Sequence, residues 1–304
     1  MPSGKEIKAR IKSVKNTSKI TKAMELISTV KMKKSQESVM VLRPFALAAL
    51  SVLARVSHKE DMLGVFSEVP QVGKELIIVV ASQKGLCGGY NTNVFKKTIE
   101  YIQNDYDTPY TREYDYITIG KRARDFVLRT GQNLVADFSE EIKDPLTPLE
   151  TRHMVRFMID EWKTGKYSKV SIVYNHYVSA IKQLPLIKTL FPIKKEEIVW
   201  FLENISGKYI KDIGTYHGEY AIEPDIHTIV EAVLPMILEG MIHETLLEAK
   251  AAEHAARRFA MKNAKDAANK KSAHLTLVYN KTRQAAITKE VSEIVSGVES
   301  MKEG

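Results

Sequence analysis

The C-terminal quarter of the chain constrains its fold more than any other part of the sequence. The EPD sequence at residues 223–225 is typical of a helix start with proline in the first turn. From there to Met301 only three helix-breaking residues occur, which are Pro235, Gly240 and Gly297. The pattern predicts one helix, kinked near Pro235, that would be roughly 115 Å long if unbroken. A helix of that length needs another helix beside it to bury an apolar stripe.

A second long helix is predicted at the N-terminus, because residues 3–57 contain only Gly4 and Pro44 as helix breakers. Apolar residues recur there at the three- and four-residue steps of a coiled-coil seam, at Ile7, Ile11, Val14, Ala23, Ile27 and Val30. A similar stripe runs along the C-terminal segment, at Ala273, Leu277, Asn280, Gln284, Ile287, Val291, Ile294, Val298 and Met301. We therefore expect the two terminal helices to pair with each other as an antiparallel coiled coil.

Between the helices, the pattern changes to short apolar strands that alternate with helical segments, as in ELIIVVA, YDYITIG and KVSIVYN. Alternation at this spacing predicts an open, Rossmann-like α/β sheet with crossover helices. The predicted fold class is thus α/β, with this domain inserted between two long helices. The predicted boundaries are 1–58 for the N-terminal coiled-coil helix, 73–195 for the α/β foot domain, 196–222 for a connecting segment and 223–304 for the C-terminal helix.

Charge and composition narrow the classes of function. The formal net charge is +8, and the first 40 residues carry ten lysines and arginines but only three glutamates. A basic helix of this kind suits nucleic acid, anionic lipid or an acidic protein partner. No apolar stretch approaches the roughly 20 residues of a membrane span. The polar N-terminus lacks the apolar core of a secretory signal, so a cytoplasmic location is expected.

The stretch SQKGLCGGYN at residues 82–91 follows an apolar strand and precedes a helical segment, as a nucleotide-binding turn would. It lacks the lysine and hydroxyl residue of a P-loop and the GxGxxG spacing of a dinucleotide turn. We therefore expect a structural turn. Cys87 is the only cysteine, which excludes an intramolecular disulfide, and is expected to be a small buried residue. The histidines, expected to be solvated or capping residues, form no metal-ligand pattern, so no catalytic, cofactor or metal site is predicted.

Several stretches together resemble the gamma subunit family of bacterial F-type ATP synthases. The N-terminal one is KNTSKITKAMELISTVKM at residues 15–32. The family's Gly-Leu-Cys-Gly-Gly turn is matched by Gly85, Leu86, Cys87, Gly88 and Gly89, with Asn91 beyond it. The C-terminal ones are EAKAAEHAARRFAMKNA at 248–264 and LVYNKTRQAAITKEVSEIVSG at 277–297. The similarity runs from end to end.

The resemblance implies a non-catalytic central-stalk rotor that couples ion-driven rotation of a membrane c-ring to ATP synthesis or hydrolysis at beta subunits. Its coiled coil would stand inside a ring of alpha and beta subunits, and its foot would contact epsilon and the c-ring at the cytoplasmic face of the cell membrane. The implied beta contacts are Lys19, Lys22, Met24, Arg283, Gln284 and Thr288. The implied apolar tip, packed in the collar of the ring, comprises Ile287, Val291, Ile294, Val298 and Met301.

The sequence also departs from the family pattern. Gln83-Lys84 stands where the family usually has an acidic-basic pair, and Lys265 stands where it tends to have threonine or serine. Two other classes of function remain open. One is a nucleotide-dependent enzyme built on the α/β domain, and the other is a basic coiled-coil protein that binds nucleic acid. The rotor interpretation predicts neither a nucleic-acid partner nor a small-molecule substrate.

Overall fold

The structure is a computed structural model that describes residues 4–56, 73–106, 113–193 and 226–302. Its elements in chain order are α1 (Gly4–Val56), β1 (Lys74–Val80), α2 (Tyr90–Tyr106), β2 (Tyr114–Ile119), α3 (Lys121–Arg129), β3 (Asn133–Asp137), α4 (Pro148–Lys163), β4 (Tyr167–Tyr177), β5 (Gln183–Phe191) and α5 (Ile226–Lys302). The chain divides into two compact units. Unit 1 comprises Met1–Ser28 and Arg258–Gly304, and unit 2 comprises Thr29–Arg257.

Unit 2 contains a five-stranded sheet in the order β3-β2-β1-β4-β5. The strands β1, β2, β3 and β4 are parallel to one another, and β5 runs antiparallel to β4. A parallel sheet is covered on both faces, which explains why its central strand is the continuous apolar run LIIVV. The predicted open α/β fold is confirmed.

Both faces of the sheet carry a core because side chains alternate along each strand. On one face, Leu76 and Ile78 pack in a cluster with residues of α4 and of the Ile237–Ala249 part of α5. On the other face, Ile77 and Val79 pack with residues of α2 and α3. The first part of the C-terminal helix is therefore a structural layer of the α/β domain.

Unit 1 is an antiparallel pairing of α1 with α5, which confirms the predicted coiled coil. Ser18 Oγ donates to Asn269 Oδ1 at 2.7 Å, and Lys265 Nζ lies 2.8 Å from Glu25 Oε2. The stripe of α1 that is buried or half-buried in this unit comprises Ile7, Ile11, Val14, Ser18, Thr21, Glu25 and Ser28. The matching stripe of α5 comprises Met261, Lys265, Ala268, Ser272, Leu275, Tyr279 and Thr282.

The prediction of which residues form the seam was partly wrong. On α1, Ile7, Ile11 and Val14 lie in it, but Ala23, Ile27 and Val30 are exposed. On α5, the whole predicted stripe from Ala273 to Met301 is exposed. Six of the fourteen seam residues are serine, threonine or alanine, whose small side chains permit close helix packing but give little hydropathy signal. The more apolar stripe was therefore mistaken for the buried one.

Other sequence predictions concern the helix ends. The helix α5 continues through Pro235 without interruption, and α1 continues through Pro44. The predicted helix start at 223–225 and the connecting segment at 196–222 lie outside the described residues. Within the described ranges, no helix is long and apolar enough to cross a membrane.

Candidate functional site

The glycine turn follows β1 and packs against α5. Two of its residues have positive φ angles, Leu86 at 62° and Gly88 at 59°. Cys87 is 2% exposed and lies in a small cluster with Tyr90 and Ala252 of α5. The Tyr90 hydroxyl donates to the Ala249 carbonyl at 3.0 Å, and burial raises the pKa of Tyr90. The reversal of the chain thus brings Cys87 and Tyr90 onto one stretch of the long helix.

The polar atoms around the turn are hydrogen-bonded to one another. The Ser82 amide donates to Asn91 Oδ1 at 2.9 Å, and Asn91 Nδ2 donates to Ser82 Oγ at 2.8 Å. The Gln83 Oε1 atom accepts the Lys121 amide at 3.1 Å, so it satisfies an N–H group at the start of α3. Gln83, which departs from the family pattern, therefore has a hydrogen-bond partner within the α/β domain.

Arg257 of α5 reaches the turn from the side. Its Nη2 atom donates to the Lys84 carbonyl at 3.0 Å and to Glu253 Oε1 at 2.7 Å. A phosphate cradle presents backbone N–H groups to an anion. The turn instead presents a carbonyl oxygen to a cation of its own chain, which is the reverse of that chemistry.

A stripe of lysines runs along the exposed face of α1. It comprises Lys5, Lys8, Lys12, Lys15, Lys19 and Lys22, at alternating steps of three and four residues. None of the six forms an ion pair with a described residue, and like charges at these spacings repel one another. Met24, at the end of the stripe, is half-buried. The positive charge of this helix was expected from the sequence, in which the regular spacing of the lysines is also visible.

The end of α5 carries the other predicted contact residues. Arg283, Gln284 and Thr288 are exposed, and Thr288 Oγ1 donates to the Gln284 carbonyl at 3.0 Å. In the part of the chain that the structure describes, the guanidinium of Arg283 and the side-chain amide of Gln284 have no hydrogen-bond partner. The predicted tip residues are all about half-exposed or more, at 52% for Ile287, 53% for Val291, 66% for Ile294, 49% for Val298 and 86% for Met301.

Two histidines on α5 contradict the expectation of solvated or capping residues. His243 and His254 are each 4% exposed. His243 Nδ1 lies 2.7 Å from Thr151 Oγ1, and burial lowers its pKa. His254 Nε2 lies 2.9 Å from Asp144 Oδ2. Both histidines therefore connect α5 to other parts of unit 2, and no group of three metal-ligating side chains occurs among the described residues.

Comparison with known proteins places the chain in a family. The family model described as ATP synthase matches residues 3–301. A protein of Stenotrophomonas maltophilia (strain R551-3) named ATP synthase gamma chain is 36% identical over 98% of this chain and 99% of its own length. Another of that name, from Roseiflexus castenholzii, is 36% identical over the full length of both chains. The chain belongs to the ATP synthase gamma chain family.

Solved structures of an ATP synthase rotor and of an ATP synthase central stalk contain chains that share the fold. The rotor of the mitochondrial ATP synthase of Euglena gracilis matches 93% of this chain and 98% of that chain, with a TM-score of 0.59 and 20% identity. The central stalk of the Tetrahymena thermophila enzyme matches 81% of this chain and 99% of that chain, with a TM-score of 0.58 and 19% identity. A gamma chain is a non-catalytic subunit of the ATP synthase, in its peripheral sector. Family membership thus favours the rotor interpretation over the two alternatives.

Proposed function

We propose that this gamma chain is the central-stalk rotor of its ATP synthase, at the cytoplasmic face of the cell membrane. It couples rotation of the c-ring to conformational change in a ring of alpha and beta subunits, with epsilon beside its foot. The observation that carries this proposal is the exposed end of α5. From Arg283 to Val298 every residue of the helix is exposed, although an apolar stripe continues along it.

An exposed apolar stripe at heptad spacing is costly in water, so it favours a surrounding protein surface. Hydrophobic contact is non-directional. A collar of alpha and beta subunits could therefore enclose Ile287, Val291, Ile294, Val298 and Met301 without fixing one angular position. This is the behaviour that a rotating shaft needs at its tip.

Directional contacts are proposed beside the tip. Arg283, Gln284 and Thr288 would bind a loop of a beta subunit, and Lys19, Lys22 and Met24 would contact beta from α1. A hydrogen bond to a charged group contributes about 1.5–3 kcal/mol, enough to favour one angular position without preventing the next. The mutual repulsion within the lysine stripe favours an acidic partner there.

The glycine turn has a packing role in this proposal. Gly85, Leu86, Cys87, Gly88 and Gly89, together with Asn91, shape the contact between β1, α2 and α5. The carbonyl contact with Arg257 and the buried Cys87 support this role. No nucleotide, metal or nucleic acid is part of the proposed mechanism.

The proposal is tested in the complex assembled with the alpha and beta subunits of the same organism. We expect Arg283→Ala combined with Gln284→Ala to lower the steady-state ATPase rate several-fold, because the beta contact loses its directed bonds. The matched control is Arg129→Ala combined with Gln132→Ala, an exposed arginine and glutamine on the α/β domain. Equal turnover of both double variants, with intact assembly, would refute the assigned contact.

Two measurements on the free chain address the alternatives. A nucleotide-dependent enzyme would be stabilised by millimolar ATP or NAD, which the rotor proposal does not predict. A nucleic-acid-binding protein would bind DNA tightly, with a steep salt dependence and a sequence preference. Failure of the chain to co-purify with tagged beta would contradict the rotor proposal itself.

A further inference from the structure

Unit 2 contains a small cavity where α1, the loop before α4 and α5 come together. Its volume is about 170 Å³. It is lined by Lys31, Lys34 and Ser35 of α1, by Asp144 and by Lys250 of α5. The proposed rotor role does not account for this concentration of positive charge in one partly open cavity.

Two polar side chains that line the cavity are more than nine-tenths buried, although their polar atoms still reach solvent-accessible space. Lys250 is 9% exposed and Ser35 is 7% exposed. Within the described residues, the Lys250 ammonium has no ion pair and neither it nor the Ser35 hydroxyl has a hydrogen bond. The Lys250 ammonium and the Ser35 hydroxyl are free to bind an anion that enters the cavity. The cavity therefore has the chemistry of a site that awaits an anion.

Asp144 does not supply that anion. Its Oδ2 atom already contacts Lys31 Nζ at 2.8 Å and His254 Nε2 at 2.9 Å. These partners lower the pKa of Asp144, so the carboxylate is ionised and its charge is offset by Lys31. Lys34 and Lys250 remain, with two positive charges that no described carboxylate neutralises.

We propose that this cavity binds a small tetrahedral oxyanion of the phosphate class. A water molecule occupies about 30 Å³ of liquid, so the cavity holds roughly five or six waters, room for one phosphate with some hydration. Drug-sized and nucleotide ligands need about 300 Å³ or more. Lys34 and Lys250 match a dianion in charge, lysine is a common phosphate ligand, and the Ser35 hydroxyl donates a hydrogen bond.

The test uses the full chain, without alpha and beta subunits, whose own phosphate-binding sites would interfere. Inorganic phosphate is titrated at constant ionic strength, and binding is followed by calorimetry and by the melting temperature. The variants are Lys250→Met, Ser35→Ala and Lys34→Met. The matched control is Lys262→Met, an exposed lysine on the same helix.

We expect saturable binding to the wild-type chain and to Lys262→Met, and at least tenfold weaker binding to Lys250→Met. If Lys250→Met does not fold, Lys34→Met still tests the site, because Lys34 is exposed and its loss should weaken binding several-fold. Phosphate also stabilises proteins by exclusion from their surface. An equal, non-saturating rise of melting temperature in all variants would therefore overturn the proposal.

Two further outcomes would also contradict it. A large loss of stability in Lys250→Met, with no phosphate binding to the wild-type chain, would mean that a carboxylate of the protein pairs with Lys250. A lipid phosphate has the same chemistry as free phosphate, so flotation with phosphatidylcholine vesicles containing phosphatidic acid distinguishes the sources. Vesicle binding that depends on Lys250 and resists competition by free phosphate would assign the site to a lipid headgroup. These results are independent of the rotor proposal.

Discussion

At the scale of single residues, Asp144 connects three parts of unit 2 through one oxygen atom. Its Oδ2 contacts Lys31 on α1 and His254 on α5, while its backbone belongs to the loop before α4. His254 and Lys31 both lower the pKa of this carboxyl, and the histidine is the larger cause. Because the group is half-buried, its contacts should matter more to stability than those of an exposed ion pair.

We expect Asp144→Asn to lower the free energy of unfolding of the full chain by about 2 kcal/mol at pH 7. Because its pKa is lowered on folding, Asp144 stabilises the fold above the ordinary aspartate pKa of about 3.9. That stabilisation is lost as the pH falls below this value, so the variant and wild type should converge in acid. Urea titrations at pH 7, pH 4 and pH 3 measure the difference.

The control for Asp144→Asn is Glu140→Gln. Glu140 also forms an ion pair, with Lys121 at 2.8 Å, but its side chain is 63% exposed. We expect little change in its unfolding curve at any of the three pH values. A similar loss in both variants would show that burial of Asp144 is not what gives its contacts their strength.

Two glycines with positive φ angles allow a matched test of backbone geometry. A Cβ atom on Gly120, at φ 93°, would lie 2.1 Å from the Ala81 carbonyl oxygen, whereas one on Gly131, at φ 68°, would meet nothing within 4 Å. We expect Gly131→Ala to cost about 1 kcal/mol from its backbone conformation alone. Gly120→Ala should abolish the folded α/β domain, as measured by circular dichroism and soluble yield. Equal stability of both variants would contradict the geometry of the turn after β2.

At the scale of the elements, the seam of α1 is notable for its small polar side chains. Thr21 and Ser28 are both buried, seven residues apart. Beside them, Ile27 and Val30 are exposed. A residue on α1 is therefore buried when it faces the partner helix, and not because it is apolar. Small side chains allow the partner helix to pack closely against that face.

Adjacent residues on α1 test which stripe is the seam. We expect Ser28→Leu to destabilise the chain by about 1–3 kcal/mol, because extra methyl groups cannot enter a packed site without strain. Ile27→Ser, at the exposed neighbouring position, should change stability by no more than about 0.5 kcal/mol. Chemical denaturation of both variants provides the comparison. The opposite ranking would restore the seam expected from hydropathy.

At the scale of the whole molecule, the exposed stripe on α5 gives the chain a surface that contributes nothing to its own described packing. We expect Ile294→Asp combined with Val298→Asp to leave unfolding of the free chain unchanged. Assembly with alpha and beta subunits should become at least tenfold weaker, because burial of each aliphatic side chain contributes about 1.5–3 kcal/mol. Co-purification with tagged beta over a range of concentrations measures the loss.

The control for the double variant of the apolar stripe introduces two aspartates at other positions of α5. Ala286→Asp combined with Ser292→Asp changes exposed residues that lie off the apolar stripe. We expect a smaller effect on assembly from this pair than from the stripe variant. Equal effects of the two double variants would indicate that charge, and not the apolar surface, controls entry into the ring.

The functional surfaces were predictable from the sequence to different extents. Motif resemblance suggested Arg283, Gln284 and Thr288 as contact residues, and this remains a prediction. The regular spacing of the lysines on α1 was visible in the sequence. The hydrogen bond from the Lys121 amide to Gln83 and the pairing of Lys265 with Glu25 were not predictable. Each joins residues far apart in sequence, and no local pattern records which distant side chain will face them.

The sequence by itself determined the elements of this protein. A long stretch almost free of glycine and proline favours a helix, and short apolar runs such as LIIVV favour buried strands, because these are local properties of the backbone and of solvation. Only the tertiary structure decided which stripe of each helix is covered, that His243 and His254 are buried, and that Lys250 faces a cavity. Burial depends on what lies opposite a residue, and that neighbour is chosen by the packing of the whole chain.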